Sequence, residues 1–300
     1  MSKWDKEYLK LCKKILQKGK EVENRTGTNA MKIDGYYLEF DLSKEFPILT
    51  TKQVGIKTAV LEMLWIYQAQ SNDVRWLKER NVKIWDEWEI QEDGKWYANQ
   101  MVLNNEGKLE KKPIVKDFHK ENAHTIGTAY GYIANKFKIT QTLVDTIKND
   151  PTNRRMVKSL WQDEYLKTAV LPSCVWSTEW NVLDDTISFW VHQRSCDVPL
   201  GLPFNVTQYA MLGKMIAHVT DKKIGMMRYS INDPHIYVNQ VDKIKEQIKR
   251  GEELENLKAP TIELNPDVKD FFEFDNSKDL KDIKIKNYKH HGPLKMPISQ

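Results

Sequence analysis

Two cysteines stand where a thiol could act as a nucleophile. Cys174 lies in LPSCVWSTEW, after a proline and a serine and at the start of a strand-like run. Cys196 lies in HQRSCDVPLGLPFN, two residues from Arg194. The thiolate is the reactive form and a neighbouring guanidinium stabilises it, so local electrostatics alone favours Cys196. Cys12 falls in the stripe Trp4, Tyr8, Leu11, Cys12, Ile15 and Leu16 of an amphipathic helix. It reads as a small packed hydrophobe.

Glu62 stands among Val60, Leu61, Met63, Leu64 and Trp65. A carboxylate there must be paired, hydrogen-bonded or raised in pKa by desolvation. A raised value near neutrality suits a proton shuttle, and a structural role fits the sequence equally well. Arg25 in ENRTGTNA, Arg154 and Arg155 in NDPTNRR, and Arg194 could clamp a phosphate with planar forks of donors. Adjacent arginines in a turn also read as solvated surface. In RSCDVPLGLPFN, read as a rigid loop between a strand and a helix, Ser195, Asp197 and Asn205 cluster. Asn205 can read an amide-like ring edge with one donor and one acceptor, or it caps the helix that follows. NDPHIYVNQ places Asp233, His235 and Tyr237 at alternating positions. No further His or Cys stands at ligand spacing, so no metal site is expected. There is no glycine-rich phosphate loop or dinucleotide fingerprint. The residues together suit a pocket for a phosphorylated small molecule.

The elements that must position these groups follow from periodicity. Helical spacing runs from Lys52 to Arg80, with SND at 71–73 as break and cap. It returns over Ile139–Lys148, over Asn205–Asp221 and over Ile236–Arg250. Residues 156–162, 174–182, 186–195 and 225–232 read as strands, with a hairpin turn at Asp184–Asp185. Residues 91–126 are polar and irregular and read as a surface excursion containing a hairpin. The 300 residues, 40% hydrophobic with 10 Trp, can fill a large core, and no linker divides them. The expectation is one α+β domain over 1–300. With 46 basic and 42 acidic residues the net charge of +4 is too mild for a nucleic-acid tail, so RNA binding is not indicated. No apolar run approaches the roughly 18 residues of a membrane span. The first 20 residues lack the pattern of a secretion signal, and three scattered cysteines suit a reducing compartment, so a cytoplasmic location is expected.

The ordered set NRTGT, FPILTTK, LEMLWIYQ, IWDEW, TAYGY, DPTNRR, LPSCV, QRSCDVPLGLPFNVTQYAMLGKMIA and NDPHIYVNQ resembles the folate-dependent thymidylate synthase family over most of the chain. The resemblance implies a mixed or antiparallel sheet packed with several helices, with one sheet face forming a homodimer interface. It implies methylation of dUMP to dTMP, with 5,10-methylenetetrahydrofolate as cosubstrate and no metal. It makes Cys174 the nucleophile rather than Cys196. It assigns Glu62 to water and proton transfer, Tyr130 to removal of the ring proton, and Asn205 to the uracil ring, with Asp197 also in the catalytic set. It gives Arg25, Gln193, Arg194 and Ser195 to nucleotide binding and its phosphate, with Arg154 and Arg155 reaching into the partner's site. His235 and Tyr237 would hold the deoxyribose hydroxyl. Trp85 and Trp88 would face the folate, Asp197, Leu200, Gly201 and Phe204 would line its pteridine, and Lys52 would meet its anionic glutamyl tail.

Four features depart from the family pattern. Ser173 and Val175 flank Cys174 in place of commoner neighbours, which reads as lineage rather than loss. Asn232 replaces a glycine before Asp233, and Asn tolerates left-handed backbone better than most residues. The longer stretch near 97–120 is expected to affect the surface and not the site. The tail LKMPISQ ends in Gln300 instead of a small apolar residue, which bears on how it closes over ligands. The rival readings are a deoxyuridylate hydroxymethylase and a catalytically silent nucleotide- or RNA-binding homologue.

Overall fold

The stripe that begins at Trp4 becomes helix α1, Lys3–Lys18, in the computed structural model, which describes residues 1–103 and 109–299. Ser2 caps it by accepting the Asp5 N–H, and Trp4, Tyr8, Leu11, Cys12 and Ile15 are buried as their spacing requires. Three short strands follow, β1 (Lys20–Val22), β2 (Ala30–Lys32) and β3 (Tyr36–Asp41). Helix α2 (Ile56–Tyr67) is apolar nearly all round and correspondingly buried. Asp73 caps the next helix, α3 (Val74–Lys78), so the expected break is present. The excursion holds a hairpin, β4 (Lys95–Leu103) against β5 (Leu109–Asp117). Helices α4 (Gly131–Lys136) and α5 (Ile139–Asn149) lead to β6 (Val157–Ser159), β7 (Val175–Leu183) and β8 (Thr186–Asp197). The remainder is α6 (Gly201–Val219), β9 (Lys223–Tyr237), α7 (Val241–Glu253), and the pair β10 (Thr261–Leu264) with β11 (Ile283–Lys286).

The main sheet runs β1-β2-β9-β8-β7-β6, with β3 also on β9. All its pairs are antiparallel except β8 with β9, which α6 joins as a crossover. The sheet is therefore mixed, and the fold is α+β in one domain. Ile187, Phe189 and Val191 alternate into the core under α6, and Phe189 stacks on Trp180 at 4.3 Å between ring centroids. Gly213 on α6 permits that closure, because a Cβ there would stand 2.4 Å from the Phe189 ring. The alternate residues of β8 point the other way. There Trp190 lies 5.5 Å from Tyr37 and 6.1 Å from His192, and Trp176 lies 5.6 Å from His192, leaving a half-exposed aromatic face.

Three local expectations are corrected. Ile236 and Tyr237 belong to β9 and not to the last helix, since they pair with Met31 and Ala30 of β2. Long-range pairing overrides the helical period there. The loop after Cys196 is shorter than read, because β8 runs to Asp197 and α6 begins at Gly201. Pro203 fits inside the first turn, where its missing N–H costs no helical bond, so Asn205 lies within the helix and does not cap it. Asn232 is strand residue, exposed, and without a positive φ; the left-handed residue in that corner is Gly35 at φ 71°, whose N–H bonds the Asn232 carbonyl at 3.1 Å. The left-handed tolerance of Asn232 is therefore not used at this position.

Candidate active site

The order of β7 and β8 brings Cys174 to Arg194. Val175 pairs with Gln193, and just beyond them the Arg194 N–H donates to the Cys174 carbonyl at 2.9 Å. The Arg194 side chain turns back over the thiol, with Nη2 4.0 Å from Sγ. Two carbonyls hold it there, Ser173 accepting from Nε at 3.0 Å and Pro172 from Nη2 at 2.8 Å. Ser173 thus contributes its main chain; its buried hydroxyl has no hydrogen-bond partner among the described residues. Val175 is packed at the strand start. Tyr130 accepts the Cys174 N–H at 3.0 Å through its hydroxyl. It sits at φ 48°, a strained backbone for a bulky residue. Burial raises the Cys174 thiol above the ordinary value, while Arg194, Tyr130 and Arg25 pull it back part of the way. Cys196 is the contrary case. It is 1% exposed, burial pushes its thiol well up, and the Asp197 charge adds to this. Proximity along the chain does not give Cys196 the environment of Arg194, because the burial alternation of β8 slips between them and leaves Arg194 half-buried at the cleft and Cys196 in the core.

Glu62 projects from α2 toward the same place. It accepts from the Trp85 indole at 2.7 Å and from the Gln208 amide. Burial raises its pKa to about 7, against the lowering pull of those two donors. Gln208 stands one helical turn after Asn205 on α6, and its Oε1 accepts from the Asn205 amide at 3.1 Å. Asn205 Oδ1 in turn accepts from Gln193 at 3.3 Å, and Gln193 accepts from the Tyr229 hydroxyl at 2.5 Å. The network leads from the core to a cavity of about 30 Å³ bordered by Glu62, Tyr130, Asn205 and Gln208. That is polar room enough for an ordered water.

A larger cleft of about 510 Å³ opens on Cys174, Arg194, Ser195, Arg25, His235 and Tyr237. Arg25 is exposed at the tip of a loop pinned by Asn24, which accepts the Thr26 N–H at 3.0 Å and donates to Thr28 at 2.7 Å. Ser195 and Asp197 lie beside Asp233 and His235 because β8 and β9 run parallel in that register. His235 contacts Asp233 at 3.2 Å, and Lys32 reaches the same carboxylate at 2.8 Å. The His235 contact first, then Lys32, holds Asp233 down at about 2. The hairpin is part of this cleft and not of the remote surface. Trp96 and Lys116, cross-strand partners, line it, with the ammonium 5.6 Å from the ring centroid.

Trp88 borders this cleft, and Asp197, Leu200, Gly201 and Phe204 are half-buried around the start of α6. Trp85 is buried against Trp65, Trp88 and Tyr130 at 5.8, 5.6 and 5.2 Å, and Trp88 is half-buried along the cleft. Asp197 accepts the Leu200 N–H at 2.9 Å, so it fixes the start of α6. Its carboxyl is raised by burial, offset in part by Gln240 and that N–H. Lys52 is displaced from its expected role. It is 6% exposed and donates to the Pro199 carbonyl inside the protein, and burial lowers it to about 8. An ammonium so placed supports the loop before α6 and does not face an anion in solvent. Arg154 and Arg155 are exposed on the loop before β6 and belong to no ion pair among the described residues. No group of three His, Cys, Asp or Glu residues able to hold a metal ion occurs among the described residues, and no helix there is long and apolar enough to cross a membrane. Gln300, on which the departure in the tail was read, lies outside the described residues.

Sequence reasoning missed Gln208, Trp96 and Lys116. Gln208 carries a detectable signal, an amide three positions after Asn205 and so on the same face of the helix. The hairpin residues carry none. Comparison with known proteins gives one answer. The sequence model described as Thymidylate synthase matches residues 6–300. A thymidylate synthase of Clostridium beijerinckii is 42% identical over 299 residues, covering all of both chains. One of Oenococcus oeni is 34% identical over 331 residues, again covering both. The solved structure of thermostable thymidylate synthase A from Bacillus subtilis superposes with a TM-score of 0.81 at 32% identity, over 99% of each chain.

Proposed function

The chain belongs to the thymidylate synthase family, and on that premise we propose that Cys174 is the nucleophile with which it converts dUMP to dTMP. The observation that carries this is the placement of the Cys174 sulfur 4.0 Å from the Arg194 guanidinium, in a cleft shared with Arg25, Ser195, His235 and Tyr237. Carbon 5 of uracil is a poor nucleophile. Addition of the thiolate to carbon 6 forms a sulfur–carbon bond and pushes the C5=C6 electron pair onto carbon 5 and the carbonyl at carbon 4, giving an enolate whose carbon 5 attacks the one-carbon unit. Methylenetetrahydrofolate supplies that carbon and a hydride and leaves as dihydrofolate. Loss of the carbon 5 proton and expulsion of the sulfur complete the balance.

Each neighbour then has a task. Arg25, Arg194 and Ser195 take the nucleotide phosphate, and Arg194 also tempers the thiol. Gln193 and Asn205 hold the uracil edge, with Asn205 oriented by Gln208. Glu62, near pH 7 in its titration, moves a proton at the ring through water in the small cavity. Tyr130, bonded to the Cys174 main chain, stands where the ring proton leaves. His235 and Tyr237 receive the sugar hydroxyl. Trp85, Trp88, Asp197, Leu200, Gly201 and Phe204 fit a flat, hydrogen-bonding pterin, since they combine aromatic surface with a buried carboxyl. Lys52 acts behind them as a support.

The protein works as a homodimer in this reading. The aromatic face bearing Trp176 and Trp190 (38% and 37% exposed) is the surface that a second copy covers. Arg154 and Arg155 then complete the phosphate site of the partner. A cytosolic setting suits its three free cysteines.

The test is direct. Incubated with dUMP and methylenetetrahydrofolate, the protein yields dTMP and dihydrofolate, seen as a rise in near-ultraviolet absorbance. Hydroxymethylated nucleotide without dihydrofolate would overturn the reading in favour of a hydroxymethylase. The variant Cys174→Ala loses turnover and keeps nucleotide binding; persistent turnover would refute the nucleophile.

A further inference from the structure

Gln240 is 0% exposed and touches three parts of the protein that have separate tasks. Its Oε1 accepts the Tyr237 N–H at 3.1 Å. Its Nε2 donates to Asp197 Oδ2 at 3.0 Å and to the Pro297 carbonyl at 3.1 Å. Both amide hydrogens are thus used, and one of the two acceptor positions. Beside it, Asn239 donates to the Ser299 hydroxyl at 3.3 Å, and Met296 is buried at 9% exposure. The segment 296–299 is therefore seated against the turn that follows β9. Asp197 is divided in the same way, its other oxygen holding Leu200 at the start of α6.

We propose that Gln240 is a positioning residue that couples the tail to the two ligand walls. This rests on the reading above, in which Tyr237 holds the nucleotide and Asp197 and Leu200 line the folate. A buried amide with its donors committed to two acceptors has no slack. Movement of Tyr237 toward a bound nucleotide is passed to the Asp197 carboxylate and to the tail carbonyl through one rigid planar group. The reverse transfer follows by linkage. A leucine at this position would leave the Asp197 oxygen and the Pro297 carbonyl without their donor and would free the tail from both walls.

The experiment measures coupling and not activity alone. The dissociation constant of dUMP is determined for the full-length protein with and without saturating tetrahydrofolate, which carries no one-carbon unit and does not turn over. The ratio of the two constants is the coupling factor. In Gln240→Leu that factor falls by about tenfold or to unity, whichever comes first, while dUMP binding alone changes less. Cleavage by trypsin after Lys295, followed by mass spectrometry, accelerates in the same variant because Met296 is released. Gln240→Glu, which removes both N–H donors and turns a carboxylate toward Asp197, gives the same loss if the leucine variant fails to fold. A coupling factor that stays at the parent value in a folded variant overturns the proposal whatever trypsin reports. Absence of dUMP binding and of dihydrofolate formation in the parent protein would instead overturn the functional reading, and the proposal with it.

Discussion

Replacing Gln208 by leucine should move the Glu62 titration upward. Burial has raised this carboxyl to about 7, and Trp85 and Gln208 are the two donors that keep it from rising further. Each stabilises the ionised form. A hydrogen bond to a charged group contributes about 1.5–3 kcal/mol, and one pKa unit corresponds to about 1.4 kcal/mol. Loss of the Gln208 donor should therefore lift the inflection by about 1–2 units, to about pH 8–9. The assay is the pH profile of kcat/KM for dUMP, which reports groups of the free enzyme. The direction holds whether catalysis needs Glu62 protonated or ionised, since either limb travels with the pKa. The leucine variant also leaves the Asn205 amide without its acceptor, so KM changes too, but that change does not relocate an inflection. Glu62→Gln serves as the control and should erase the inflection. An inflection that stays at its parent pH, or moves down, refutes the assignment of the titration to Glu62. The same shift enters stability with a definite sign. The unfolded carboxyl titrates near 4.5, so the contribution is full below that value and is lost as pH rises through about 7.

Three further outcomes are expected. Cys196→Ala should retain turnover at a cost of about 1 kcal/mol in stability, because the thiol is enclosed in the core; lost turnover in a folded variant would count against Cys174 as sole nucleophile. Lys116→Glu should raise KM for dUMP severalfold with kcat held, and the effect should shrink as salt is added, since the hairpin cation borders the cleft that holds Arg25 and Arg194. A rise confined to the folate KM would show that the hairpin serves the other ligand. Finally, Arg155→Ala and Cys174→Ala, each inactive, should on mixing recover on the order of a quarter of parental activity, because random exchange of a two-fold dimer makes one intact site in each hybrid. No recovery from subunits shown to exchange would place Arg155 outside the partner's site.

Periodicity and residue type made much of the scaffold legible. The Trp4 stripe, the buried α2, the cap at Asp73 and the β7–β8 turn at Asp184–Asp185 depend on neighbours within a few residues, and all appear where spacing puts them. The ordered motifs were specific enough to identify the family. The site itself depends on distances along the chain that spacing does not encode. Cys174 and Arg194 are 20 positions apart and become neighbours only through the antiparallel register of two strands. Cys196, two positions from Arg194, is turned into the core instead. Gln208 and Glu62 meet across 146 positions because α6 packs on α2. Lys52 is drawn inward by the Pro199 carbonyl, and the hairpin of Trp96 and Lys116 folds over the cleft. Local sequence determines which segments become helix or strand, since backbone and side-chain preferences act over short range. Which charges, thiols and amides share one low-dielectric pocket was decided only when the sheet closed, because desolvation and hydrogen bonding act through space and not along the chain.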